Sequence, residues 1–190
     1  ILIGYRGSGK TVVGGALAAQ LGLDFVDADV EIESRAGQTI AAIFAEEGET
    51  GFRERERTVM AELCCRDGLV IAAGGGAVLD SDTRADWARP ESRVVWLTAS
   101  AEELERRIAT DATTAARRPS LTGDSVLEEI SAVLAERETV YRGCATLTID
   151  TDQRTIHDVV EQIASALENN ADGADDKSPV ANDGPEGNGS

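Results

Sequence analysis

The chain has 190 residues, 35 of them acidic against 18 basic, for a formal net charge of −17. That length suits one domain with a full core and is short for two. The acidity argues against non-specific binding along a nucleic-acid backbone, but not against a small anion held by a local cluster of arginines, and no apolar run approaches the roughly 20 residues of a membrane span. Aromatic residues make up only 4 %, so the core must be built mainly from Ala, Val, Leu and Ile. Lys10 and Lys177 are the lysines; the other basic residues are arginine. The three cysteines, Cys64, Cys65 and Cys144, have no C-x-x-C spacing, which excludes a disulfide framework or a zinc site and leaves small apolar fillers in a reducing cytosol. No signal peptide is visible, and a cytoplasmic location is expected.

Along the chain, "ILI" reads as the end of a buried strand that runs into the glycine-rich turn "GYRGSGK". The next stretch, "KTVVGGALAAQLG", has helical spacing, with Val13, Leu17 and Leu21 on one face and Gly22 as its C-cap. "DFVDAD" is a short strand ending in acids. "VEIESRAG" and "TIAAIFAEEGETGFRERERTVMAELCCRDG" are helices broken near Gly37 and Gly48 to Gly51. "LVIAAGGGAV" is an apolar strand entering three glycines, and "SRVVWLTAS" is another strand. The helix after it opens with a capping box, Ser100 to Glu103. An aperiodic segment, about 111–124, reads as a mobile loop. Helix, strand and helix follow in "SVLEEISAVLAERETVYRG", "ATLTID" and "TIHDVVEQIASALE". Residues 1–168 thus form the folded unit, and 169–190 a polar, acidic tail expected to be disordered. Alternation of strand and helix predicts an α/β fold, a parallel sheet with helices on both faces.

Gly4-x4-Gly9-Lys10-Thr11 matches the phosphate-binding pattern G-x-x-x-x-G-K-[ST], with the required strand before it and helix after it. Glycines let consecutive N–H groups turn inward toward anionic oxygens, and the helix adds the positive end of its dipole. Gly7, Ser8, Gly9, Lys10, Thr11 and Val12 would therefore hold a nucleotide polyphosphate, ATP foremost. Lys10 would reach the β- and γ-phosphates, and the Thr11 hydroxyl would ligate Mg²⁺.

Asp27 and Asp29 close the second strand at the edge where a parallel sheet binds its ligands. One carboxylate could hold Mg²⁺ and the other could orient a hydroxyl nucleophile or take its proton; helix capping by Asp29 is the plainer alternative. In "GFRERER", Arg53, Arg55 and Arg57 read as a solvated face with i,i+4 pairing, and the stretch alone does not single one out as a ligand contact. Gly74, Gly75 and Gly76 exceed what a simple turn needs, which points to close approach of backbone N–H groups to a ligand. Arg118, before Pro119 in the aperiodic loop, could close onto a transferring phosphate. Arg142 reads as surface charge.

Taken together, "GYRGSGKT", "DADVEIESRAG", "IFAEEGETGFRERE", "GGGAV", "RRPSL" and "ERETVYR" make residues 1 to 168 resemble the shikimate kinase family of P-loop kinases. The resemblance implies a three-layer α/β/α fold on a five-stranded parallel sheet in the order 2-3-1-4-5, with a mobile lid. It implies phosphorylation of the shikimate 3-hydroxyl by ATP, on the way to chorismate and the aromatic amino acids. Lys10 would stabilise the transition state, Thr11 and Asp27 would serve Mg²⁺, and Asp29 would bind the reacting hydroxyl. Arg53 and Arg137 would clamp the shikimate carboxylate bidentately, Gly74, Gly75 and Gly76 would line its pocket, and Arg118 would be the lid arginine. Arg107 and Arg154 would lie near adenine, where Ile156 replaces an expected Pro. Family members lean toward monomers. Gluconate kinases share the loop and the fold, but the paired arginines around "GGGAV" favour shikimate. A non-catalytic binding module would have lost Lys10, Asp29 or Arg118; all three are present.

Overall fold

The apolar segments of the sequence form five parallel strands in the order β2-β3-β1-β4-β5. The computed structural model describes residues 1–110 and 126–172. The strands are β1 (Leu2–Ile3), β2 (Asp24–Asp27), β3 (Leu69–Ala72), β4 (Val95–Thr98) and β5 (Leu147–Asp150). Helices α1 (Lys10–Leu21), α2 (Ala28–Ala36), α3 (Ile40–Leu63), α4 (Ser81–Trp87), α5 (Ala101–Thr110), α6 (Val126–Cys144) and α7 (Ile156–Asp172) connect and cover them. α7 runs on to Asp172, so the chain from Asn169 continues as helix before the described residues end.

Adjacent strand residues point to opposite faces, and β1 shows it in two positions. Leu2 joins a core with Val13, Leu17, Val95, Ile149 and Ile163, under α1 and α7. Ile3 joins another with Ile32, Ile40, Phe52, Met60 and Trp96, under α2, α3 and α6. This gives the expected three layers. The order places β1 between β3 and β4. The loops that follow β1 and β3 therefore emerge side by side at the carboxyl edge, where the strand order reverses and open α/β sheets bind ligands.

Local features match the sequence in part. Gly22 and Gly37 are left-handed C-caps, and α3 is interrupted at Gly48, whose φ of 71° and ψ of −173° suit glycine alone. Gly51, by contrast, is helical. The capping box at α5 is half formed. Ser100 Oγ accepts from the Glu103 N–H, but the Glu103 carboxylate turns to Arg106 and Arg107, and the Ser100 N–H donates to Asp152 instead. Arg55 and Arg57 do not pair at i,i+4. Arg55 reaches back across the Gly48 break to Glu47, and Arg57 binds Asp86 of α4. Cys65 is exposed rather than buried, because α3 ends at Leu63 and turns it outward.

Candidate active site

The loop after β1 takes its shape from three glycines with positive φ, Gly4, Gly7 and Gly9. A Cβ on Gly4 would lie 2.4 Å from the Leu97 carbonyl, so the loop also needs glycine to lie against β4. Lys10 Nζ folds back over the loop and donates to the carbonyls of Gly4 and Tyr5, 2.8 Å each. Val12, the third residue of α1, is exposed and lines the same cleft.

Asp27 settles the capping question left by the sequence. Its Oδ1 accepts from the N–H groups of Asp29 and Val30, making Asp27, not Asp29, the N-cap of α2. Its Oδ2 accepts from Thr11 Oγ1 at 2.6 Å. Hydroxyl and carboxylate so placed form a pair of hard oxygen donors at the mouth of the loop. Asp29 is thereby spared the capping role, and its carboxylate packs against the glycine run after β3.

That run makes room for side chains. A Cβ on Gly74 would lie 2.4 Å from Glu56 Oε1 and 2.9 Å from Asp29 Oδ1, and one on Gly76 would lie 2.5 Å from Arg53 Nη1. The expectation that the glycines admit a ligand to the backbone thus has a second cause, since three functional side chains occupy the Cβ space. The Gly75 carbonyl accepts from Arg137 Nη1 at 3.1 Å and from the Tyr141 hydroxyl at 2.6 Å, tying α6 to the loop. Arg137 Nε is buried and has no hydrogen-bond partner among the described residues. Arg53 donates to the buried Glu56 carboxylate at 2.5 Å and to the exposed Glu49. Burial pulls the Arg53 pKa down, but Glu56 and Glu49 outweigh it and raise the value above the usual arginine range, so the guanidinium stays charged.

One cleft brings together Gly7, Ser8, Gly9, Lys10, Thr11, Val12, Asp27, Asp29, Gly75, Arg107 and Arg154. Arg53, Arg137, Gly74 and Gly76 do not line it. They form a cluster behind Asp29 and Gly75, joined to the cleft through those two residues. At the far end Arg107 donates to Thr151 and, more weakly at 3.4 Å, to the Gly7 carbonyl, which fixes its guanidinium plane beside the loop. Arg154 bonds Gln162, and the exposed Ile156 lines the same end where a proline was expected. Arg118 and the loop at about 111–124 lie outside the described residues.

Sequence reasoning assigned no role to four residues that build this site. Glu56 holds Arg53 from below, Tyr141 anchors α6 on Gly75, and Arg6 reaches Glu129 of α6 at 3.5 Å from within the phosphate loop. Glu49 takes the outer edge of Arg53. The F-R-x-x-E spacing was a signal for Glu56, since i and i+3 share a helix face. The Tyr141 and Arg6 contacts span 66 and 123 residues of sequence (141 − 75 and 129 − 6), which no local pattern announces.

A family model described as "Shikimate kinase" matches residues 6–168. A shikimate kinase of Rhodopirellula baltica is 44 % identical over 174 residues, covering 92 % of each chain. The structure of a shikimate kinase from Acinetobacter baumannii in complex with shikimate superposes with a TM-score of 0.82 at 38 % identity, over 89 % of this chain and 92 % of that one. A gluconokinase from Sinorhizobium meliloti, at 17 % identity and a TM-score of 0.58 over 91 % and 93 % of the two chains, shares the fold.

Proposed function

The chain belongs to the shikimate kinase family, and from that premise we propose how its own residues carry out ATP-dependent phosphorylation of shikimate. The observation that carries the assignment is the convergence on three consecutive glycines. Asp29 lies at Gly74, Arg137 at the Gly75 carbonyl and Arg53 at Gly76. One ring bearing a carboxylate and a hydroxyl can meet two guanidiniums and one carboxylate at once in such a place.

The amides of Gly7 to Thr11 and the Lys10 ammonium hold the triphosphate, Lys10 exchanging the Gly4 and Tyr5 carbonyls for phosphate oxygens. Arg53 and Arg137 take the shikimate carboxylate. The buried Arg137 Nε gains in that complex the acceptor it lacks. Asp29 accepts the proton of the 3-hydroxyl as its oxygen bonds to the γ-phosphorus. The bond from γ-phosphorus to the bridging oxygen breaks, and ADP leaves with that electron pair. Thr11 and Asp27 fit Mg²⁺. Their hydroxyl and carboxylate oxygens, 2.6 Å apart at the mouth of the loop, are hard donors that suit an ion taking its other ligands from water and phosphate oxygens. Bound there, Mg²⁺ would neutralise phosphate charge. Arg107, Arg154 and Val12 border the adenine end, and the family resemblance assigns the transferring phosphate to Arg118, which lies outside the described residues.

Residues 1–168, the lid included, make one catalytic unit that works as a monomer, with 169–190 outside it. The family match ending at residue 168 supports that division. No helix of the described residues is long and apolar enough to cross a membrane, and the net charge of −17 disfavours nucleic acid. The free thiols of Cys64, Cys65 and Cys144 suit a reducing cytoplasm, where we propose the enzyme acts.

A coupled ADP-release assay with Mg·ATP and either shikimate, gluconate or no acceptor tests the assignment. Release should require shikimate; release with gluconate alone discards the arginine clamp. In the same assay Asp29→Asn should lose about 10²–10⁴-fold in kcat while ATP affinity is kept. An active Asp29→Asn enzyme overturns its role as base.

A further inference from the structure

Arg53 has three edges, and they are not equivalent. The Nη1 side is held by Glu56, whose side chain is 4 % exposed. The Nη1/Nη2 end faces Gly76 closely enough to exclude a Cβ. The Nε/Nη2 edge, the one that matches a carboxylate with two parallel N–H groups, is taken by Glu49 Oε1 at 3.4 and 3.2 Å. Glu49 is 70 % exposed and stands one residue past the break of α3 at Gly48. One partner of Arg53 is thus fixed and buried, and the other is a carboxylate that can swing into water at little cost.

We propose that Glu49 is a substrate-displaced placeholder: in the unliganded enzyme its carboxylate covers the Nε/Nη2 edge of Arg53, and it leaves when the carboxylate of shikimate docks there. Glu56 remains as the permanent counter-ion that keeps the guanidinium oriented. Glu49 is then a specificity-setting residue and not a catalytic one. It keeps Arg53 extended toward the glycine run while the pocket is empty, and every acceptor must compete with it. A ligand with a carboxylate regains two N–H bonds for the pair it breaks. A neutral polyol of similar size would break the pair and regain weaker bonds, so Glu49 screens against it.

The inference rests on the reading of Arg53 as a carboxylate clamp, and the test separates the two. Shikimate is titrated calorimetrically into nucleotide-free wild type, Glu49→Gln, Glu49→Asp, Arg53→Ala and the Glu49→Gln/Arg53→Ala double variant, with steady-state kinetics beside it. Glu49→Gln should lower the shikimate Kd about two- to fivefold at low salt, the range an exposed ion pair spans. KM for shikimate should fall more than kcat changes, and Glu49→Asp should return toward wild type. The gain should shrink in 0.5 M NaCl and vanish in the Arg53→Ala background, whereas a through-space effect of removing one acid would persist there. An unchanged or raised Kd in Glu49→Gln, with Arg53→Ala still weak, overturns the placeholder and leaves the clamp. An unchanged Kd in Arg53→Ala overturns the clamp and the placeholder with it.

Discussion

Asp27 and Asp29 are separated by one alanine, and hydrogen bonds alone divide their work. Asp27 spends one oxygen on the α2 N–H groups and the other on Thr11. Asp29 keeps its carboxylate beside Gly74 and the cleft. The D-x-D spacing placed both acids at the correct edge of the sheet. It could not say which one caps, because either side chain can reach an orphan N–H in the first turn. Arg137 shows the same limit in reverse. The resemblance named it, and its geometry leaves both a clamp and a structural tie to be tested, since Nη1 serves Gly75 while Nε has no hydrogen-bond partner among the described residues. Replacing Arg137 by Ala removes hydrogen bonds to a charged partner, at about 1.5–3 kcal/mol, so shikimate KM should rise roughly 10- to 150-fold. ATP KM should move less than about twofold; equal losses for both substrates would mark Arg137 as structural.

Among the elements, α1 carries two adjacent glycines that helix propensity alone treats as equal defects, each costing about 1 kcal/mol against Ala. The structure separates them. A Cβ on Gly14 would lie 2.5 Å from the Phe25 ring and 3.2 Å from Leu2, whereas one on Gly15 meets Phe25 at an ordinary 3.9 Å. Gly14 lets α1 settle onto β2; Gly15 serves no contact. In urea unfolding, Gly15→Ala should therefore gain about 0.5–1 kcal/mol. Gly14→Ala should lose stability, because overpacking at about 1–3 kcal/mol exceeds the helical gain. No periodicity in "KTVVGGALAAQLG" distinguishes the two positions, since the difference lies in a strand that follows the helix. The phosphate loop was legible for the opposite reason, as all its parts are contiguous. The glycine run after β3 was legible as unusual but not as a cradle for Glu56, Asp29 and Arg53, which arrive from α2 and α3.

For the molecule as a whole, the strand–helix alternation carried the layers, and the resemblance carried the strand order that the sheet then showed. How a chain of net charge −17 holds its acids was not legible, because the arginine partners come from across breaks and between helices, as Arg55 to Glu47 and Arg57 to Asp86 show. Glu103 is the sharpest case. Hydrogen bonds from Arg106 and then Arg107 hold its carboxyl down at about 2, against an ordinary 4.5. A lowered folded-state pKa means that the contribution is fully present above pH 4.5 and is lost as pH falls toward 2. The urea midpoint of Glu103→Gln should lie below wild type at pH 7 and converge on it through that window. A gap that stays constant with pH would show that the carboxylate charge is not what Arg106 and Arg107 hold.

The near-absence of lysine gives the phosphate loop a chemical address. An amine-selective electrophile finds two lysine side chains in the whole sequence, and one of them is Lys10, folded over the loop onto the Gly4 and Tyr5 carbonyls. An anionic reagent of that class, drawn by the positive end of the α1 dipole, would meet its target already in place. The arginines that do the remaining electrostatic work are inert to it, so labelling at Lys10, scored against Lys177 and the terminal amine, doubles as a readout of whether the nucleotide seat is filled.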